Sequence, residues 1–201
     1  MQASDRTRKR PRSRYAVLGM LSMGLETGYA MKKHVEAHLG HFWNESYGQI
    51  YPILRQLVEE GLATCQVEQQ AGARRRKCYA LTPAGGNELR AWLVQPPEPQ
   101  PPRLELLLKL TFGERVPVEA CEQLIRDHRE TCNRDIAHLA SIESALRDKP
   151  GRHPDQPYWL MTLRYGRAVR EAERTWCDET LEQLQEIRSG HQLTSESGMG
   201  R

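Results

Sequence analysis

Five prolines fall within the eight residues 95–102, Gln95-Pro96-Pro97-Glu98-Pro99-Gln100-Pro101-Pro102. No helix or central strand continues through such a run, because each ring removes a backbone donor and fixes φ. The segment therefore predicts an extended, semi-rigid spacer, and it divides the 201 residues into a front part and a rear part. Both parts are long enough to bury a small core. The expected organisation is a disordered basic arm over 1–14, a front domain over 15–94, a linker over 95–103, a rear helical domain over 104–188 and a disordered tail over 189–201.

Charge separates the same two parts. Residues 1–92 hold 14 Lys and Arg against 8 Asp and Glu, whereas residues 93–201 hold 15 against 18. A basic front and a mildly acidic rear suit a nucleic-acid module joined to a protein-contact module. The excess gathers in two places, the arm from Arg6 to Arg14 and the run Arg74-Arg75-Arg76-Lys77. The arm is too polar to fold alone, and either follows a DNA groove or only solubilises the chain. The apolar run after it, Tyr15 to Leu25, lacks a convincing signal-peptide cleavage site and is needed as the first helix. No stretch approaches the length of a membrane span, and a cytoplasmic protein is expected.

The front part reads as a series of short elements. Tyr15 to Leu21 is an apolar helix, Gly24 to Thr27 a turn, and Gly28 to about Gly40 a second helix. Ser46 and Gln49 have capping-box spacing at the start of a third helix, whose buried stripe is Ile50, Leu54, Leu57 and Val58. Gln49, Tyr51 and Arg55 lie outside that stripe, near the positive end of the helix dipole, where they can meet phosphates or base edges. Pro52 sits four residues after Gly48, so the first turn is expected to be kinked or tightened; the alternative is a helix that begins at Pro52. Gly61 ends the helix. Leu62 to Gln69 alternates as a strand, Gln70 to Ala73 turns, the basic run follows, and Cys78 to Leu81 returns. Thr82-Pro83 caps a linking helix that runs through Trp92.

Three helices, a basic two-stranded hairpin and a linking helix make a winged helix-turn-helix, in which the third helix enters the major groove and the wing lies over the backbone. The strings Gly48-Gln49-Ile50-Tyr51-Pro52-Ile53-Leu54 and Glu59-Glu60-Gly61-Leu62 carry a more specific likeness. With Tyr15 to Leu21, Gly28-Tyr29, the wing from Arg74 to Tyr79 and Leu81-Thr82-Pro83-Ala84-Gly85, residues 15–93 resemble the DNA-binding domain of the PadR family of bacterial transcriptional regulators. The resemblance implies a dimeric regulator, often a repressor, with a C-terminal helical region for dimerisation.

In the rear part, Leu104 to Leu110 predicts a short apolar helix. Pro117 opens a long one with Cys121, Ile125, Cys132, Ile136, Leu139, Ile142 and Leu146 at helical spacing. A last helix spans about Tyr158 to Ile187. One antiparallel pair buries little core, so the same pair from a second chain is expected to cover the remaining apolar faces. Trp92, Trp159, Tyr165 and Trp176, with Tyr158, could line an effector pocket, but core and interface packing is the simpler role for aromatics so spaced.

Other chemistries find little support. There is no phosphate-binding glycine loop, nucleophile elbow or metalloprotease helix, so no enzyme and no cofactor are expected. His34, His38 and His41 approach metal spacing without a fourth ligand, and no metal site is assigned. The five cysteines, at 65, 78, 121, 132 and 177, are odd in number and expected reduced, although Cys65 and Cys78 on the two wing strands could approach each other. The fold expected is mostly α: a winged helix-turn-helix domain followed by a helical dimerisation domain. The function expected is repression by a homodimer on a palindromic operator of double-stranded DNA, with release by a small-molecule effector admitted. The contact residues expected are Ser46, Tyr47, Gly48, Gln49, Tyr51 and Arg55 in the groove, and Arg74, Arg75, Arg76 and Lys77 on the backbone. The alternative is a winged helix that contacts protein and not DNA.

Overall fold

The computed structural model describes residues 12–40, 42–43, 46–69, 75–98, 104–148 and 153–198. The chain divides into two compact units, Met1–Pro99 and Gln100–Arg201. Among the described residues no helix is long and apolar enough to cross a membrane.

The first unit contains α1 (Ser13–Ser22), α2 (Gly28–His34) extended by a π-helical turn (Val35–Leu39), α3 (Tyr47–Glu59), the strands β1 (Ala63–Gln69) and β2 (Arg75–Leu81), and α4 (Pro83–Leu93). Its core is what the periodicity of each segment demands. Val17 and Leu18 of α1, Met31 and Val35 of the second helix, and Ile50, Leu54 and Leu57 of α3 are all buried against one another. Each such side chain stabilises the fold by about 1.5–3 kcal/mol through removal of apolar surface from water. The sequence reading did not anticipate Arg14 in this core. Its side chain is 3% exposed and forms ion pairs with Glu60 (2.6 Å) at the end of α3 and Glu88 (2.9 Å) on α4. One guanidinium thus ties three helices, using the forked donor geometry that lysine lacks.

Glycine punctuates the unit where the backbone turns left-handed. Gly61, at φ +72°, follows α3, and Leu62 N–H donates back to Leu57 O at 2.8 Å, which closes the helix in a Schellman arrangement. β1 and β2 pair antiparallel from Ala63 opposite Leu81 to Gln69 opposite Arg75. At the base of the ribbon, Tyr79 N–H donates to Glu26 O (2.8 Å), which anchors β2 to the turn before α2. Thr82 caps α4 by accepting from Gly85 N–H at 3.1 Å, with Pro83 in the first turn, as its sequence predicts.

The second unit contains α5 (Glu105–Thr111), a 3₁₀ turn (Gly113–Arg115), α6 (Val118–Arg147) and α7 (Gln156–Gly198). α6 and α7 pack as an antiparallel pair: Arg129 meets Asp178, Asp135 meets Arg170 and Glu143 meets Arg167, the partner number falling as the first rises. Ile125, Cys132, Leu139, Leu163 and Cys177 are buried along the seam. α7 continues through 189–198, where a disordered tail was expected. Polar residues without Pro carry a helix onward once a long preceding segment has nucleated it. The arm as far as residue 11, and linker residues 99–103, lie outside the described residues.

Candidate nucleic-acid interface

The start of α3 is built as the sequence implies. Ser46 is extended (φ −86°, ψ 160°) and forms a reciprocal capping box with Gln49, whose Oε1 accepts from Ser46 N–H at 2.8 Å. Ser46 O accepts from both Gln49 N–H and Ile50 N–H at 3.0 Å. The first of these is a 3₁₀-type bond, the tightened first turn expected ahead of Pro52. The helix begins at Tyr47 and carries Pro52 inside it, so the alternative start at Pro52 is excluded.

The buried stripe of α3 sets what remains outside. Ile50, Leu54 and Leu57 face the core, and Ser46, Tyr47, Gly48, Gln49, Tyr51 and Arg55 are all exposed. The Tyr47 and Tyr51 rings lie 6.3 Å apart and 19° from parallel, one turn apart on one side of the helix. Tyr51 also reaches back to the start of α2: a Cβ on Gly28 would sit 2.8 Å from the Tyr51 ring. Glycine at 28 therefore lets the phenol lie across the N-terminus of α2. That helix is itself capped by Thr27, which accepts from Ala30 N–H at 3.1 Å.

Arg55 requires a correction. It is exposed, but it stands more than two turns below Ser46, beyond the reach of the helix N-terminal charge. Near the wing base its charge partly offsets burial, foremost, and Cys65, which push the Tyr79 phenol up.

The wing also divides its basic residues. Arg74 lies outside the described residues. Arg75 occupies the first position of β2 opposite Gln69, and Arg76 and Lys77 stand exposed opposite Glu68 and Val67. Successive strand residues point to opposite faces, so Arg76 and Lys77 project to the two sides of the ribbon. The same alternation corrects the suggestion that Cys65 and Cys78 approach each other. Cys65 pairs with Tyr79 and Gln66 with Cys78, which puts the two sulfurs on opposite faces. All five cysteines are free thiols.

The other candidates are scattered. Among the histidines, His34 and His38 have ring centroids 4.8 Å apart, while His41 lies outside the described residues. Burial, with the charge of His38 added, pushes His34 down to about 4. Trp92 stacks on Tyr15 at 4.6 Å and 4°, as packing at the edge of the first core. In the second unit Trp159 stacks on His153, Trp176 is half-buried and Tyr165 is exposed. Sequence reasoning passed over Tyr29 and Lys33, both exposed on α2 with the Lys33 ammonium 6.0 Å from the Tyr29 ring centroid. Their i, i+4 spacing on the helix before α3 was the available signal.

A capped helix start with its polar residues outward, crossed by a preceding helix and flanked by a basic ribbon, defines a winged helix-turn-helix of the DNA-binding kind. Residues 17–91 match the Transcriptional regulator PadR-like family, and residues 102–185 match the family described as Virulence activator alpha C-term. The negative transcriptional regulator PadR of Bacillus subtilis is 34% identical over 127 residues, covering 63% of this chain and 70% of that protein. Bacillus subtilis PadR in complex with operator DNA superposes with a TM-score of 0.74 at 26% identity, over 87% of this chain and 99% of that one. The same protein in complex with p-coumaric acid gives a TM-score of 0.69 at 26% identity, again over 87% and 99%. The chain belongs to the PadR-like family and is a DNA-binding transcriptional regulator.

Proposed function

We propose that the protein is a homodimeric repressor, acting in the cytoplasm, that reads a palindromic operator with the start of α3. The observation that carries this is the exposure of Ser46, Tyr47, Gly48, Gln49 and Tyr51 at a helix N-terminus that is already capped from within. Gln49 and the two tyrosines reach base edges and adjoining phosphates, while Arg55, Tyr29 and Lys33 serve the flanking backbone. Arg74, Arg75, Arg76 and Lys77 hold phosphates through the wing. The repressor sense is supported by the negative regulator of Bacillus subtilis, and the operator by the DNA complex of that relative.

The dimer is supported by apolar surface left open in the second unit. Leu104, Leu107, Leu108 and Phe112 on and beside α5 are exposed, as are Tyr158, Met161 and Tyr165, which recur at helical spacing on α7. A second copy covers such faces and sets two recognition helices about 34 Å apart, one turn of duplex. A small-molecule effector would act on this unit, with Trp159, Tyr165 and Trp176 as the aromatic contacts; the p-coumaric acid complex of the relative supports the class of control. Trp92 already spends its ring on Tyr15. No catalytic role is assigned.

Selection of bound duplexes from a random library at near-physiological salt tests the reading. An enriched palindrome is the expected result. Gln49→Ala should relax the preference, whereas Arg76→Ala should weaken all sequences alike and reduce the salt slope by about one ion. Absence of duplex binding at any salt would refute the operator reading and leave the wing as a protein-contact surface.

A further inference from the structure

α6 and α7 bring three metal-binding side chains, His128, Cys132 and Glu173, together across their seam, with Cys177 buried beside them. His128 and Cys132 are one turn apart on α6, and Glu173 and Cys177 are one turn apart on α7. Residues at i and i+4 share a helix face, so each helix offers a two-ligand claw. In the antiparallel register set by Arg129 with Asp178 and Asp135 with Arg170, Cys132 comes opposite Glu173 and His128 opposite Cys177.

The distances are those of a site one step from closure. Cys132 Sγ lies 3.6 Å from Glu173 Oε2, and His128 Nε2 also lies 3.6 Å from that oxygen. The nearest ligand atoms of His128, Cys132 and Glu173 all fall within 4.8 Å of one another. Tetrahedral zinc, with bonds of about 2.0–2.3 Å, spaces its ligands by roughly 3.3–3.8 Å. Two separations among these three already have that value and the third closes by a side-chain adjustment, while Cys177, outside this group, must turn its sulfur in as the fourth ligand. Cys132 and Cys177 are both fully buried.

We propose that His128, Cys132, Glu173 and Cys177 form a zinc site that staples α6 to α7. Two thiolates with one imidazole and one carboxylate suit a thiophilic divalent ion, whereas magnesium and calcium take oxygen sets. Binding replaces the two thiol protons, which leave to solvent, and the imidazole enters neutral. Three ligand charges then exceed the ion's two by one, and Arg170, whose Nη1 lies 2.6 Å from Glu173 Oε2, supplies the compensating charge and orients the carboxylate. Without the ion both thiols are held neutral: burial, foremost, and the Glu173 charge push Cys132 up to about 11, and burial raises Cys177. The site lies outside the recognition helix and wing, so it stands or falls independently of the operator reading.

Full-length protein, kept reduced with a phosphine, is titrated with zinc against a chromophoric chelator, and with cobalt followed by absorption. The expected result is one ion per chain and a cobalt spectrum with strong tetrahedral bands and thiolate-to-metal charge transfer. Cys132→Ser and Cys177→Ser should each weaken zinc by about 100-fold or more and abolish charge transfer from the lost sulfur. His38→Ala should leave binding intact. The cobalt spectrum of the unaltered protein decides the matter even where a cysteine variant fails to fold. A spectrum without thiolate transfer, uptake well below one ion per chain, or unchanged affinity in folded Cys132→Ser would overturn the site and leave a thiol–carboxylate hydrogen-bond network.

Discussion

Gly85 and Gly86 are neighbours in α4, yet alanine at the two positions should change stability in opposite directions. A Cβ built on Gly85 falls 2.1 Å from the carbonyl oxygen of Leu62 and 2.8 Å from Leu81 Cδ1. Ordinary contact begins near 3.4 Å, so α4 must retreat by about 1.3 Å, because the obstacle is backbone and cannot rotate away. That retreat strains the Thr82 N–H bond to Leu62 O (3.1 Å) and the cap that Thr82 gives Gly85 N–H. The bond is worth about 1 kcal/mol and the cap about 1, and overpacking costs about 1–3 more. Against this stands a gain of about 1 kcal/mol from replacing glycine in a helix. The net expectation for Gly85→Ala is a loss of roughly 2–4 kcal/mol. At Gly86 the nearest atoms are Arg90 Nη1 at 3.6 Å and Leu81 Cδ2 at 3.9 Å, so Gly86→Ala keeps the helix gain of about 0.5–1 kcal/mol. Urea unfolding followed by tyrosine and tryptophan fluorescence measures both. A Gly85→Ala protein as stable as Gly86→Ala would refute the reasoning, since the close approach of α4 to Leu62 is its whole basis.

Three further expectations concern Arg14, His34 and the wing cysteines. Arg14→Ala should destabilise the first unit by about 2–3 kcal/mol, below the usual cost of breaking a buried pair because Glu60 and Glu88 keep access to water; Arg14→Lys should recover only part, as unfolding curves of the two variants would show. His34 has its folded pKa near 4, beneath its unfolded value of 6.5, so the unfolded chain binds the extra proton between those pH values. Its contribution is therefore present above pH 6.5 and lost as pH falls towards 4. His34→Gln should flatten the fall in melting temperature across that window, and an unchanged slope would contradict the assignment. Mild oxidation should produce no intramolecular Cys65–Cys78 bridge by peptide mapping, because the sheet lies between the sulfurs.

The front half was legible because its signals are local. Ser46 with Gln49, Gly61 after an apolar stripe, Thr82-Pro83 and the alternation of the wing each declare a terminus or a face within a few residues. The exposed set on α3 followed directly, since a helix that buries Ile50, Leu54 and Leu57 must present Tyr47, Gln49 and Tyr51 elsewhere. Arg55 shows the limit of that reasoning: it is outside the stripe, as its position implies, but its distance along the axis removes it from the helix start.

What the sequence determined by itself was therefore the order and type of the elements, the caps that begin and end them, and the side of α3 left exposed. Those properties depend on backbone geometry with a period of two or about 3.6 residues, which a linear string records. Only the tertiary structure decided that Arg14 is the buried tie among α1, α3 and α4, that Gly85 must lack a side chain beneath Leu62, and that Cys132 meets Glu173. Each joins residues 23 to 74 positions apart along the chain, through packing and register that no local pattern encodes.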